Sequence, residues 1–238
     1  MPDDRIVPDD RIGPDDRIVQ DTPMASSSSA LNELKEIRVK NLNRLIFGHL
    51  NINSLRNKIE LLTDQIRGNI DVLLISETKL DNSFPTSQFT IEGYNSPFRL
   101  DRNKDGGGLM LYVRDDIPAK QLKHPSLDKN FENMFVELNL RNKKWLVSCT
   151  YNPHVRHIQN HLQYVSKNLD SFSSNYDNFV LLGDFNAESH VHFMQKKFDT
   201  YNLKPLIKKP TCFKNPEKPT CIDHILTNRP KSFCNSTI

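Results

Sequence analysis

The apolar residues of this chain come in short runs that stop abruptly at polar ones. Val72-Leu73-Leu74-Ile75 gives way to Ser76-Glu77-Thr78, and Phe179-Val180-Leu181-Leu182 halts at Gly183-Asp184-Phe185-Asn186. Runs of this length bounded by glycine or polar residues read as buried strands. The pattern predicts a short helix at 31–39, a strand at 44–52, an amphipathic helix at 55–67 and a buried strand at 71–76, a β-α-β opening. Segments 109–113, 134–140 and 145–151 have no helical stretch between them and predict antiparallel neighbours. A helix at 157–172, a strand at 178–182 and a short strand at 221–226 follow. Mixed sheets with helices outside make an α/β layered fold.

The 238 residues suffice for one large domain or two small ones. Residues 1–19 carry three copies of a Pro-Asp-Asp-Arg-Ile unit, and Ser26 to Ser29 continue the low-complexity stretch. Proline every sixth residue interrupts helix and sheet alike, and the few Ile and Val cannot offset the entropy of ordering. Residues 1–30 are therefore expected to be disordered, with the folded domain at 31–238. The net charge is +3, but residues 1–30 hold seven Asp against three Arg, so the remainder is +7. That surplus suits a polyanionic partner. Cys149, Cys212, Cys221 and Cys234 form no CxxC pair and have no His partner at zinc spacing, so free thiols in a reducing compartment are expected. There is no stretch of about 18 apolar residues to span a bilayer and no signal-peptide core. The expected setting is intracellular, without a membrane partner.

The polar residues at the strand ends carry the functional information. Along a strand, residues i and i+2 share a face, which predicts that Asp184 and Asn186 face one site, as do Asn51 and Asn53. Turns and helix caps are the ordinary use of such residues. Glu77 puts a carboxylate at the edge of the core, and Tyr151 closes the strand before Asn152-Pro153. Asp223 sits between apolar neighbours and needs a partner, since burying a lone charge is costly. His224 is adjacent to it, hence on the opposite face, and is read as structural. Gly106-Gly107-Gly108 precedes a strand and lacks the Lys-Ser or Lys-Thr of a phosphate loop, so it is read as a turn.

In order, Leu50-Asn51-Ile52-Asn53-Ser54-Leu55, Ser76-Glu77-Thr78, Gly106-Gly107-Gly108, Tyr151-Asn152-Pro153, Gly183-Asp184-Phe185-Asn186 and Ile222-Asp223-His224-Ile225 resemble the endonuclease/exonuclease/phosphatase superfamily. The resemblance is closest to the endonuclease domain of non-LTR, LINE-type retrotransposons and covers about residues 44–238. It implies a four-layer α/β/β/α sandwich of two mixed sheets, DNase I-like, with the site where the sheets meet. It also implies a Mg²⁺ (or Mn²⁺) dependent hydrolase that nicks DNA and leaves a 3′-hydroxyl to prime reverse transcription. A reverse transcriptase would follow in an intact element, and a nuclear location follows from the substrate.

By the same resemblance Glu77 is a metal-binding carboxylate and Asn53 an auxiliary ligand. Asn51, Asn186 and Tyr151 hold the phosphate or nucleophile, Asp184 activates or orients the attacking water, and Thr211 stands at a DNA-contact position. Asp223 matches the acid that orients the histidine of a terminal Ser-Asp-His motif. No such motif follows Asp223, and no histidine follows His224. The expectation is an incomplete domain lacking its last strand or strands, with weak or no activity, because losing a group that stabilises transition-state charge costs 10² to 10³ or more in rate. The alternatives are a non-catalytic retroelement remnant and another superfamily member, an abasic-site endonuclease or a lipid or inositol phosphatase.

Overall fold

The computed structural model describes residues 27–123, 131–154, 157–187 and 191–233. The Pro-Asp-Asp-Arg-Ile repeats lie outside the described residues. Helix α1 (Ser27–Lys40) begins within the stretch expected to be unstructured. It is followed by β1 (Phe47–Asn51), α2 (Ile59–Ile66), β2 (Val72–Ser76), β3 (Phe98–Leu100), β4 (Leu109–Val113), β5 (Ala119–Gln121), β6 (Glu132–Leu140) and β7 (Lys143–Tyr151). Then come α3 (Ile158–Ser173), β8 (Asn178–Asp184), α4 (Val191–Phe198), β9 (Lys204–Pro205) and β10 (Asp223–Thr227).

The strands form two mixed sheets, one ordered β1-β2-β4-β3 and the other β5-β6-β7-β8-β10-β9. β1 and β2 are parallel, as are β7 and β8, while β10 runs antiparallel to β8. Side-chain alternation then sorts the residues into layers. Val72, Leu74, Leu109, Leu111 and Val113 of the first sheet pack against Met134, Val136, Leu138, Val147, Cys149, Val180 and Leu182 of the second. On the far side of the first sheet, Leu73, Ile75, Met110 and Tyr112 pack with Leu62 and Ile66 of α2. On the far side of the second, Phe135, Leu146, Leu181 and Leu226 pack with α3 and α4 through Leu162, Val165, Met194 and Phe198. The result is the expected α/β/β/α sandwich. Fully burying each such side chain is worth about 1.5–3 kcal/mol.

This alternation determines where the polar strand ends point. Asp184 continues the face of Val180 and Leu182, Tyr151 that of Val147 and Cys149, and Asn51 that of Phe47, which also packs between the sheets. Asp223 shares the face of Ile225, another inter-sheet residue. The directions of the strands bring these ends, with Glu77 just beyond β2, to one edge of the inter-sheet core.

Candidate active site

Asn51 ties the two sheets together at that edge. Its Nδ2 donates to Glu77 Oε1 at 2.7 Å and to Asp184 Oδ2 at 3.1 Å. The Tyr151 hydroxyl donates to the same Glu77 oxygen at 3.0 Å. No hydrogen bond to Glu77 Oε2 occurs among the described residues, which leaves one carboxylate oxygen for a ligand. Glu77 adopts a left-handed backbone, φ 54°, a conformation that costs a non-glycine residue about 1–3 kcal/mol and recurs at functional sites. The backbone around it is held by Ser54 N donating to Glu77 O at 2.8 Å and Leu55 N donating to Thr78 O at 3.0 Å.

Asp184 is 1% exposed. Burial and the negative charge of Asp223 raise its carboxyl from 3.8 to about 6, against the opposing bonds from Asn51 and the Asn186 N–H. A carboxyl poised there suits proton transfer near neutral pH. Burial, then the Glu77 charge, pushes the Tyr151 hydroxyl far up, so it stays a donor. Burial also works to raise the Asp223 carboxyl, but His49 and the Thr211 hydroxyl outweigh it and hold the carboxyl below its ordinary value.

The structure revises the same-face reading of both Asn pairs. β1 ends at Asn51, and Asn53 follows in a left-handed turn, φ 45°, exposed, with its Oδ1 accepting from Lys79 Nζ at 2.5 Å. Its backbone N–H still donates to Asn51 Oδ1 at 3.2 Å, but its side chain turns away from the cluster, because strand alternation ends where the strand does. β8 likewise ends at Asp184, and Asn186 has φ 44°. The pair still meets, but through the Asn186 backbone N–H, which donates to Asp184 Oδ1 at 2.9 Å, while the Asn186 amide donates to Asn152 O at 2.7 Å. Thr211 Oγ1 accepts the N–H groups of Ile222 and Asp223, both at 3.1 Å, and so braces Asp223. His224 is 2% exposed and packs edge-on against Phe185, away from the cluster.

Two groups escaped the sequence reading. His49 Nδ1 lies 3.2 Å from Asp223 Oδ1, without the line-up of a hydrogen bond, and His49 Nε2 is 3.1 Å from Ser76 Oγ. Its position two residues before Asn51, hence on the same face, was the available signal. Glu132, 5% exposed, opposes Tyr151 across the β6–β7 ladder. Its parity with Met134, Val136 and Leu138 puts it on the inter-sheet face.

Residues 48–236 match the Endonuclease/Exonuclease/phosphatase family. The chain belongs to that family. Its members hydrolyse phosphoester bonds and generally depend on divalent metal. No curated protein matches the chain by sequence. Among solved structures, the 3′-5′ exonuclease NExo from Neisseria meningitidis is similar at TM-score 0.60 and 16% identity, over 78% of this chain and 87% of that one. An AP endonuclease from Archaeoglobus fulgidus gives 0.55 and 16%, over 79% and 88%. The endonuclease domain of TRAS1, a telomere-specific non-LTR retrotransposon, gives 0.55 and 16%, over 75% and 82%. At such identities the likeness is one of fold.

The donor set fits the metal that the family implies. Among the described residues no group of three or more His, Cys, Asp or Glu stands together as a metal cluster. Mg²⁺ does not require one: it keeps several waters and is commonly held by one or two carboxylates plus substrate phosphate. Glu77 offers such a carboxylate with an oxygen to spare, and Asp184 places a second carboxylate on the other side of the Asn51 amide. No helix among the described residues is long and apolar enough to cross a membrane.

Proposed function

We propose that the chain is the DNA-nicking endonuclease domain of a non-LTR retrotransposon, acting with Mg²⁺ or Mn²⁺ held at Glu77. The observation that carries the reading is the single Asn51 amide bonded to both Glu77 and Asp184. It joins a candidate metal carboxylate on one sheet to a candidate base on the other. The metal, when bound, polarises a phosphoryl oxygen and stabilises the leaving oxygen. Asn51 and Tyr151 hold the Glu77 carboxylate in place. Asp184, fixed by the Asn186 N–H, takes a proton from the attacking water. DNA as the substrate is favoured by the basic surplus of the body and by the ordered motifs, which resemble those of the retrotransposon branch. Binding rests on phosphate contacts and weakens steeply with salt. In an intact element a reverse transcriptase extends the 3′-hydroxyl, and the protein works in the nucleus.

The test incubates supercoiled plasmid with the chain and Mg²⁺ or Mn²⁺. Weak nicking, giving open circles that a polymerase can extend, is expected, and is absent with chelator and in Asp184→Ala. Duplex binding is scored beside turnover. Preference for an abasic duplex, or hydrolysis of inositol phosphates in place of plasmid, contradicts the reading. Absence of nicking, with at most weak duplex binding, favours the remnant.

A further inference from the structure

Glu132 makes no hydrogen bond to Glu77 or Asp184. Its Oε2 accepts the Gly108 N–H at 2.6 Å, and its Oε1 accepts from Arg102 Nη1 at 3.2 Å. Burial works to raise this carboxyl, against both donors. A buried charge is kept only where its partners compensate it, and here one partner is the backbone of the glycine turn. That turn is also bonded to the segment after Glu77. Thr78 N donates to Gly108 O at 3.3 Å, and Lys79 N donates to Gly107 O at 2.9 Å. Gly108, φ +91°, lies so close to this segment that an added Cβ would meet Thr78 Oγ1 at 2.3 Å. Thr78 is itself completely buried.

We infer that Glu132 is a positioning residue: it clamps the Gly107-Gly108 turn, and the turn fixes the strained backbone from which Glu77 reaches the metal. The inference rests on Glu77 being the metal-binding carboxylate. The Asn51–Leu55 loop holds one side of the Glu77 segment, through Ser54 N and Leu55 N. The turn holds the other side, and Glu132 is its buried anchor. Releasing the anchor lets the Glu77 backbone relax from φ 54° toward cheaper conformations and draws its carboxylate off the Asn51 and Tyr151 donors.

Loss of such an outer support typically lowers metal affinity 10–100-fold. The test is Mn²⁺ affinity of the 238-residue chain by calorimetric titration, with circular dichroism as the folding check. Glu132→Ala is expected to weaken Mn²⁺ at least about tenfold. Gly108→Ala, which displaces the turn and leaves Glu132 intact, is expected to do the same. Glu132→Gln keeps an oxygen for the Gly108 N–H and is expected to lose far less. Glu132→Ala within about twofold of the unmodified chain overturns the inference. So does an equal loss in Glu132→Ala and Glu132→Gln with Gly108→Ala unaffected, which assigns the effect to charge. If Glu132→Ala does not fold, Gly108→Ala decides by the same threshold. Glu77→Gln separates the two levels: undiminished Mn²⁺ binding there refutes Glu77 as the ligand, whereas its loss beside an indifferent Glu132→Ala refutes only the positioning role.

Discussion

Replacing Asp184 by Asn is expected to stabilise the chain at neutral pH. The native carboxyl, 1% exposed, is raised from 3.8 to about 6, chiefly by burial and then by Asp223. In the unfolded chain the same group ionises near its ordinary value of about 3.9. Between these values the native state binds more protons than the unfolded state, so stability falls as pH rises through the interval. About two pKa units amount to ~3 kcal/mol of destabilisation, complete above pH 6 and absent below about pH 4. An Asn keeps an oxygen for the Asn186 N–H but turns an NH₂ toward Asn51 Nδ2, which loses one bond worth about 1–2 kcal/mol. The net gain is ~1–2 kcal/mol, or roughly 3–6 °C in Tm for a domain of this size. Melting followed by circular dichroism at pH 7.5 and pH 4 checks it. A higher Tm at pH 7.5 that disappears at pH 4 is expected. No gain at pH 7.5, or an equal gain at both pH values, would refute the picture of a buried, destabilising charge retained for chemistry.

Tyr151→Phe removes the hydroxyl bonded to Glu77 while keeping the packed ring, and Mn²⁺ titration should show affinity lowered about tenfold with the fold intact. His49→Ala removes the partner that holds Asp223 low. Because a depressed carboxyl contributes stability above its unfolded pKa and loses it as pH falls, the variant should lose ~1–3 kcal/mol at pH 7 and much less at pH 3, read from urea midpoints. Gly183→Ala would bring a Cβ within 1.8 Å of Thr150 O where β7 and β8 run side by side. A loss above ~3 kcal/mol, or failure to fold, is expected in the same urea assay.

The long strands were legible because their apolar alternation is complete. Segment 109–113 coincides with β4, and 145–151 falls two residues short of the start of β7. The three-, three- and two-residue strands β3, β5 and β9 are too short to show a period. The helix expected at 55–67 begins only at Ile59 because Asn53 and Ser54 take positive φ and Leu55 bonds to Thr78, diverting the chain into the site before the helix starts. Asn51, Glu77, Tyr151 and Asp184 could be nominated as strand-end polar groups. Their shared hydrogen bonds could not, because they depend on how two sheets stack rather than on period within either. The partner demanded by Asp223 was foreseen, but its identity as His49, 174 positions earlier, is a tertiary fact. Glu132 was missed because the expected strand began at Met134, two residues too late.

Mn²⁺ titrated into the isotopically labelled chain, followed by paramagnetic broadening of its backbone resonances, tests most directly whether this strand-end cluster is a metal site. Saturable broadening centred on Asn51, Glu77 and Asp184, abolished by Glu77→Gln, is the expected result. Broadening that does not saturate, or that centres elsewhere and survives Glu77→Gln, would contradict it.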